Sequence, residues 1–263
     1  MSPEWTTDRR VVVSADRAAV VAVVSRRLVD KIARLSSEGE VHISLTGGGA
    51  GIGVLEAVTA DPRTPAIDWS RVHFWWSDER YVPAADAERN DGQARAALLD
   101  HIPVPPENVH AVASTDGGMS VEEAAAAYGS ELARFPSEDE SGATVPWPSF
   151  DICLLGVGPD AHIASLFPDR PEIRVVDEAA VAVHDSPKPP PTRVTLTRPV
   201  INASQRVWMV LTGAEKASAL GLALAGASYL SVPAAGAKGR RSTLFFVDVD
   251  AAAEVPEELI DPD

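Results

Sequence analysis

The chain predicts an α/β protein of the Rossmann-like kind: a mostly parallel open sheet with helices on both faces. Short apolar runs alternate with helix-period segments along most of its length. Glycine-rich or charged turns follow several of those runs, where open α/β sheets place their ligands. No internal repeat or low-complexity linker divides the 263 residues, so a single domain over residues 1–263 is expected.

The elements follow in order. Val11-Val12-Val13 reads as a first strand, with Ser14 and Asp16 as caps for a helix over 17–35. In that helix Val20, Val23, Val24, Leu28 and Ile32 recur at helical spacing and form a core stripe. Residues 41–45 form a second strand, which runs into Thr46-Gly47-Gly48-Gly49-Ala50-Gly51 and a helix through Val54, Leu55 and Val58. A third strand over 72–76 places Trp75 and Trp76 in the core and rim, and the charged turn Ser77-Asp78-Glu79-Arg80 follows. A helix over 93–99, a strand over 108–112 and a helix over 121–135 come next, then a polar, Pro-rich surface loop over 136–149.

Phe150-Asp151-Ile152-Cys153-Leu154-Leu155 is a buried strand, broken by Gly156 and Gly158, with a helix expected to start at His162. Strands over 180–183 and 193–197 flank the Pro-rich turn 187–191. A strand over 207–211 leads through Thr212-Gly213-Ala214-Glu215-Lys216 into a helix to about residue 225, and the strand 244–247 closes the sheet.

Hydrophobic residues make up 45% of the chain, enough for a sizeable core, and the formal net charge is -15. That charge argues against a nucleic-acid partner. It leaves room for an anionic small molecule, since a few local cations can focus charge in a cleft. Cys153 is the single cysteine, so no internal disulfide forms, as suits a reducing, cytoplasmic setting. The first eight residues lack the basic and apolar regions of a secretory signal. No apolar run approaches the ~20 residues that span a bilayer, so no membrane partner is expected.

The segment from Gly156 to Pro168 is the most informative. It puts Asp160 and His162 two residues apart at the end of a strand, and a histidine there can take a proton near neutral pH. The turn at Thr46, Gly47 and Gly48 reads either as a backbone cradle for phosphate or as a plain tight turn. Arg80 offers a forked cation, with Asp78 or Glu79 to hold it or to act as an acid or base. Arg193 and Lys216 add two cations at loop edges.

Gly-x-x-x-x-Gly-Lys is absent, which argues against a P-loop enzyme, and Gly-x-Ser-x-Gly is absent, which argues against a serine hydrolase. Gly156 to Ala161 matches the loose dinucleotide pattern, but Pro159 removes an N–H that a pyrophosphate would need. The six histidines show no metal-ligand spacing with one another, so no metal is expected, and Cys153 reads as buried and inert.

Five motifs in order give the chain a resemblance to the 6-phosphogluconolactonase family, from about residue 12 to 247. They are Leu45-Thr46-Gly47-Gly48, Ser77-Asp78-Glu79-Arg80-Tyr81-Val82-Pro83 with Asn90 after it, Gly156 to Pro168, Pro191-Thr192-Arg193-Val194-Thr195-Leu196-Thr197, and Thr212-Gly213-Ala214-Glu215-Lys216-Ala217. The related glucosamine-6-phosphate isomerase/deaminase usually has Phe-Asn-Glu-Pro where this chain has Ser165-Leu166-Phe167-Pro168, and usually lacks Arg80. The family usually has Gly directly before the histidine, where Ala161 stands here.

The resemblance implies hydrolysis of 6-phospho-D-glucono-1,5-lactone in the oxidative pentose phosphate route, with no cofactor. It implies His162 as general base, oriented by Asp160. Thr46, Gly47 and Gly48 would seat the phosphate, with Arg193 and Lys216 as counter-charges. Asp78, Arg80 and Asn90 would complete the substrate site, Arg80 serving either the phosphate or the oxyanion. A deaminating isomerase and a non-catalytic sugar-phosphate sensor are the alternatives.

Overall fold

The computed structural model describes residues 8–253 and 255–260; residues 1–7, read above for a targeting signal, lie outside them. β1 (Asp8–Ser14) leads into α1 (Arg17–Glu38). Asp16, not Ser14, caps that helix: its carboxylate accepts the Ala19 N–H at 2.8 Å. Val20, Val24, Leu28 and Ile32 are buried as the spacing predicts, while Val23 is only partly covered. β2 (Val41–Leu45), α2 (Gly48–Ala60), β3 (Val72–Trp76), β4 (Asp78–Arg80), α3 (Asn90–Ala97) and α4 (Val121–Leu132) follow. A small hairpin of β5 (Ser137–Glu138) and β6 (Thr144–Val145) precedes β7 (Ile152–Gly156), β8 (Ala180–Val183) and β9 (Arg193–Leu196). The chain continues through α5 (Arg198–Asn202), β10 (Arg206–Leu211), α6 (Ala217–Leu224), α7 (Pro233–Gly236) and β11 (Ser242–Asp248).

The central sheet has six strands in the order β1-β11-β10-β7-β2-β3, and every pairing in it is parallel. Its middle strands are near-continuous apolar runs because both faces are covered. On one face Val20, Leu28, Val54, Leu55 and Ala94 of α1, α2 and α3 pack on Ile43, Phe74 and Leu154. On the other, Tyr128 and Leu132 of α4, Val200 of α5 and Leu220 of α6 pack on Trp75, Leu155 and Met209. Trp75 and Trp76, on opposite faces of β3, are both fully buried.

The structure departs from expectation elsewhere too, and the segment 136–149, expected as a loop, holds the β5–β6 hairpin. The strand at 193–197 is not in the parallel sheet. β9 pairs antiparallel with β8 and with β4, which is built from the charged turn after β3. The expected strand at 108–112 makes one bridge, Phe74 with Val109, and the chain beyond it leaves β3: the Val112 carbonyl accepts the Arg89 guanidinium at 2.7 Å. β11 lies between β10 and β1, so the first strand, not the last, forms that edge. No helix starts at His162. Ala161 and Ala164 sit at φ 64° and 48°, and each left-handed residue turns the chain out of a right-handed helix. The segment folds as a compact loop whose Ile163 bridges both Val157 and Leu166.

Candidate active site

The loops at the carboxyl ends of β2, β7 and β10 meet the end of β4 around a cavity of about 260 Å³. Thr46, Gly47, Gly48, Asp78, Arg80, Asn90, His162, Arg193 and Lys216 all line it, so the structure brings together nine of the ten residues singled out above. The tenth, Asp160, stands directly behind the imidazole, with Oδ1 2.5 Å from His162 Nδ1.

The Asp160–His162 pair depends on backbone shape. The His162 carbonyl accepts the Gly158 N–H and the Gly158 carbonyl accepts the Ala161 N–H, both at 2.9 Å. A Cβ at Gly158 would lie 2.0 Å from His162 Nδ1, so only glycine lets the ring fold back over its own loop. The ring rests on Phe167, centroids 4.6 Å apart. Burial raises the Asp160 carboxyl, but the His162 hydrogen bond and the charges of His162 and Lys188 outweigh it and hold it well below the usual carboxylate range. An ionised Asp160 takes the proton on Nδ1 as its hydrogen-bond donor, which leaves Nε2 as the basic nitrogen.

The glycine turn forms the opposite wall. α2 starts inside the run, at Gly48, so its first N–H groups point towards the cavity end. A Cβ on Gly47 would lie 1.9 Å from Asn90 Oδ1, a contact that requires glycine. Asn90 is buried and donates to the Asp78 carbonyl at 2.8 Å, while its Oδ1 has no hydrogen-bond partner. Thr46 Oγ1 accepts the Gly156 N–H at 3.2 Å and ties the two walls together.

The two acids after β3 divide their work. Asp78 faces the cavity and accepts the Ser165 hydroxyl at 2.6 Å. Glu79 turns away, accepting the N–H groups of Arg80, Asn90 and Asp91 at 2.7, 2.8 and 2.8 Å, and so holds the start of α3. Arg193 is almost wholly buried. It donates to the carbonyls of Lys188, Pro189 and Pro190 at 3.0–3.1 Å, and to Ser165 Oγ at 3.3 Å. Its first effect is therefore to anchor the Pro-rich loop. Burial, then the nearby Lys188, pulls the Lys216 ammonium below its ordinary value, and its Nζ donates to the Val157 carbonyl.

Lys188 was not singled out from the sequence. Its Nζ lies 3.4 Å from His162 Nδ1 and 3.6 Å from Asp160 Oδ1. A cation in a stiff run of prolines, five residues before Arg193, was the available signal. Ser165, the buried hinge between Asp78 and Arg193, was equally missed, since nothing in the sequence joins it to β4.

Comparison with known proteins places the chain in a family. Residues 15–246 match the family described as glucosamine-6-phosphate isomerases/6-phosphogluconolactonase. The chain is 47% identical over 256 residues to a 6-phosphogluconolactonase of Streptomyces coelicolor, covering 96% of this chain and 97% of that one. It is 47% identical over 244 residues to the 6-phosphogluconolactonase of Mycobacterium tuberculosis, covering 92% and 96%. Among solved structures, 6-phosphogluconolactonase from Trypanosoma cruzi superposes with a TM-score of 0.82 at 27% identity, over 95% of this chain and 97% of that one. The chain belongs to the glucosamine-6-phosphate isomerase/6-phosphogluconolactonase family.

Proposed function

We propose that the protein hydrolyses 6-phospho-D-glucono-1,5-lactone to 6-phosphogluconate, as a step of the oxidative pentose phosphate route. The observation that carries this reading is an acid-oriented imidazole facing a cavity lined by four cations, Arg80, Lys188, Arg193 and Lys216, in a chain of net charge -15. A phosphorylated ester brings two negative centres to such a site: the phosphate, and the oxygen that gains charge as water attacks the lactone carbonyl.

His162 Nε2 takes the proton from the attacking water, and Asp160 stabilises the imidazolium that forms. The proton passes to the ring oxygen as the C–O bond breaks, so the enzyme returns to its starting state. Lys188, which lines the cavity beside the Asp160–His162 pair, is the cation this reading assigns to the developing oxyanion. Thr46, Gly47, Gly48, Lys216 and Arg80 seat the phosphate, with Asn90 and Asp78 shaping the wall between. The first four also line an adjoining cavity of about 240 Å³ into which Arg17 reaches.

An initial-rate assay on freshly generated lactone, followed by proton release with the spontaneous rate subtracted, tests this. His162→Ala is expected to lower kcat by about 10²–10⁴, the usual worth of a positioned base, with KM little changed. Near-wild-type turnover in the variant would remove His162 from the chemistry. No acceleration by the folded wild type would remove the lactone as substrate.

A further inference from the structure

At the other end of the sheet, where β2 and β3 begin, three histidines far apart in sequence come together. His42 and His73 occupy paired positions of the two strands, so they share one face, and their rings stack with centroids 4.6 Å apart. His73 Nδ1 lies 3.0 Å from His110 Nε2, and His110 Nδ1 lies 2.8 Å from Glu131 Oε1. The carboxylate can only accept, so His110 carries its proton on Nδ1 and accepts on Nε2. His73 is then the donor through Nδ1, and its Nε2 is left as a bare lone pair. Metal-ligating histidines are oriented by the same relay, in which the far N–H is fixed through hydrogen bonds to a carboxylate. Glu40, exposed just before β2, completes the group. One ligand atom each from Glu40, His42 and His73 lie within 4.8 Å of one another.

We propose that Glu40, His42 and His73 form a site for one late first-row divalent ion, of the zinc, cobalt, nickel or copper class. Two imidazoles and one carboxylate suit those ions rather than magnesium or calcium. Three protein ligands leave at least one position for water. His110 and Glu131 are positioning residues for His73. The site lies at the amino ends of β2 and β3, whereas the cavity lies at the carboxyl end of the sheet, so it is independent of the lactonase reading.

Trp75 reports on the site. Its indole N–H donates to His42 Nδ1 at 3.1 Å. Ligation through Nδ1 displaces the indole directly. Ligation through Nε2 sends that nitrogen's proton to Nδ1, where it faces the indole N–H. Either route breaks the Trp75 hydrogen bond, so occupancy changes indole emission.

The test titrates chelator-treated full-length protein with Co²⁺, reading visible absorption and indole emission, and with Ni²⁺ by calorimetry. The His162→Ala variant serves as background, to remove any ion held by Asp160 and His162. One ion per chain is expected, with affinity reduced at least tenfold by His42→Gln and by His73→Gln, and less by Glu40→Gln. Glu40 is exposed, so Glu40→Gln carries the test if a histidine variant fails to fold. Affinity unchanged in Glu40→Gln and in the folded histidine variants, or binding that vanishes with His162, overturns the proposal.

Discussion

At the scale of single residues, Gly158 and Lys188 decide how well the imidazole is placed. A methyl at Gly158 would lie 2.0 Å from His162 Nδ1 and 2.3 Å from Asp160 Oδ1, so one of the pair must move. A displacement of about 1 Å at a reacting group costs on the order of 10²-fold. Gly158→Ala is therefore expected to lose kcat at least tenfold in steady-state assays, with an unchanged circular dichroism spectrum. A variant with wild-type kcat would show that the ring is not held by this loop. Lys188 is half-buried, so its contribution is smaller than that of an enclosed oxyanion donor, where loss costs about 10²–10³. Lys188→Met should lower kcat roughly tenfold, below that range. Arg193 acts partly through Lys188, because its guanidinium grips the carbonyls of residues 188–190. The double variant Lys188→Met/Arg193→Ala should then lose less than the product of the two single losses, as coupled residues do. Simple multiplication of the two losses would mean that Arg193 acts on the substrate alone.

At the scale of elements, the start of α3 is tied to the site by one buried carboxylate. Burial pushes Glu79 up from 4.5 to about 7, against the opposing pull of Arg89 and of three backbone N–H groups. A carboxyl raised in the fold binds its proton more tightly there than in the unfolded chain. Its contribution to stability is thus full below pH 4.5 and is lost as pH rises through about 7. Thermal midpoints measured from pH 4.5 to 8 should fall across this window in wild type, and Glu79→Gln should flatten that component. The same slope in both proteins would assign the titration elsewhere. Much of this architecture was legible because periodicity and caps act locally: α1, β2, β3, β7 and β10 emerge from spacing alone, and the polar loop ends that face the cavity follow from them. What was hidden depends on partners distant in the chain. β4 exists only because β9 lies beside it, and Ser165 joins Asp78 only across 87 residues. The helix expected at His162 fails because Ala161 and Ala164 take left-handed conformations that alanine rarely adopts, which no propensity scale anticipates.

At the scale of the whole molecule, the sheet separates two apolar layers, and only one of them carries the catalytic loop. Leu28, 1% exposed, belongs to the layer of α1, α2 and α3. Ile163, 0% exposed, belongs to the other layer, and its bridges to Val157 and Leu166 pin the loop that holds His162 to the core. Truncating either side chain to alanine should cost about 2–5 kcal/mol, the usual range for a buried leucine or isoleucine. For a chain of this length each kcal/mol lowers the thermal midpoint by about 2–4 °C. Stability alone therefore does not distinguish the two variants. Kinetics should. Leu28→Ala removes packing on the face away from the Gly156–Pro168 loop, so at 25 °C, where the protein stays folded, its kcat and KM should remain within about twofold of wild type, in keeping with the additivity of distant sites. Ile163→Ala loosens the segment that fixes the Asp160–His162 pair, and a reacting group freed by about 1 Å should lose kcat tenfold or more. Differential scanning calorimetry and initial rates on the same two preparations give the comparison. If both variants lose turnover equally, the sheet transmits strain between its faces, and the catalytic loop is not held by its own layer alone.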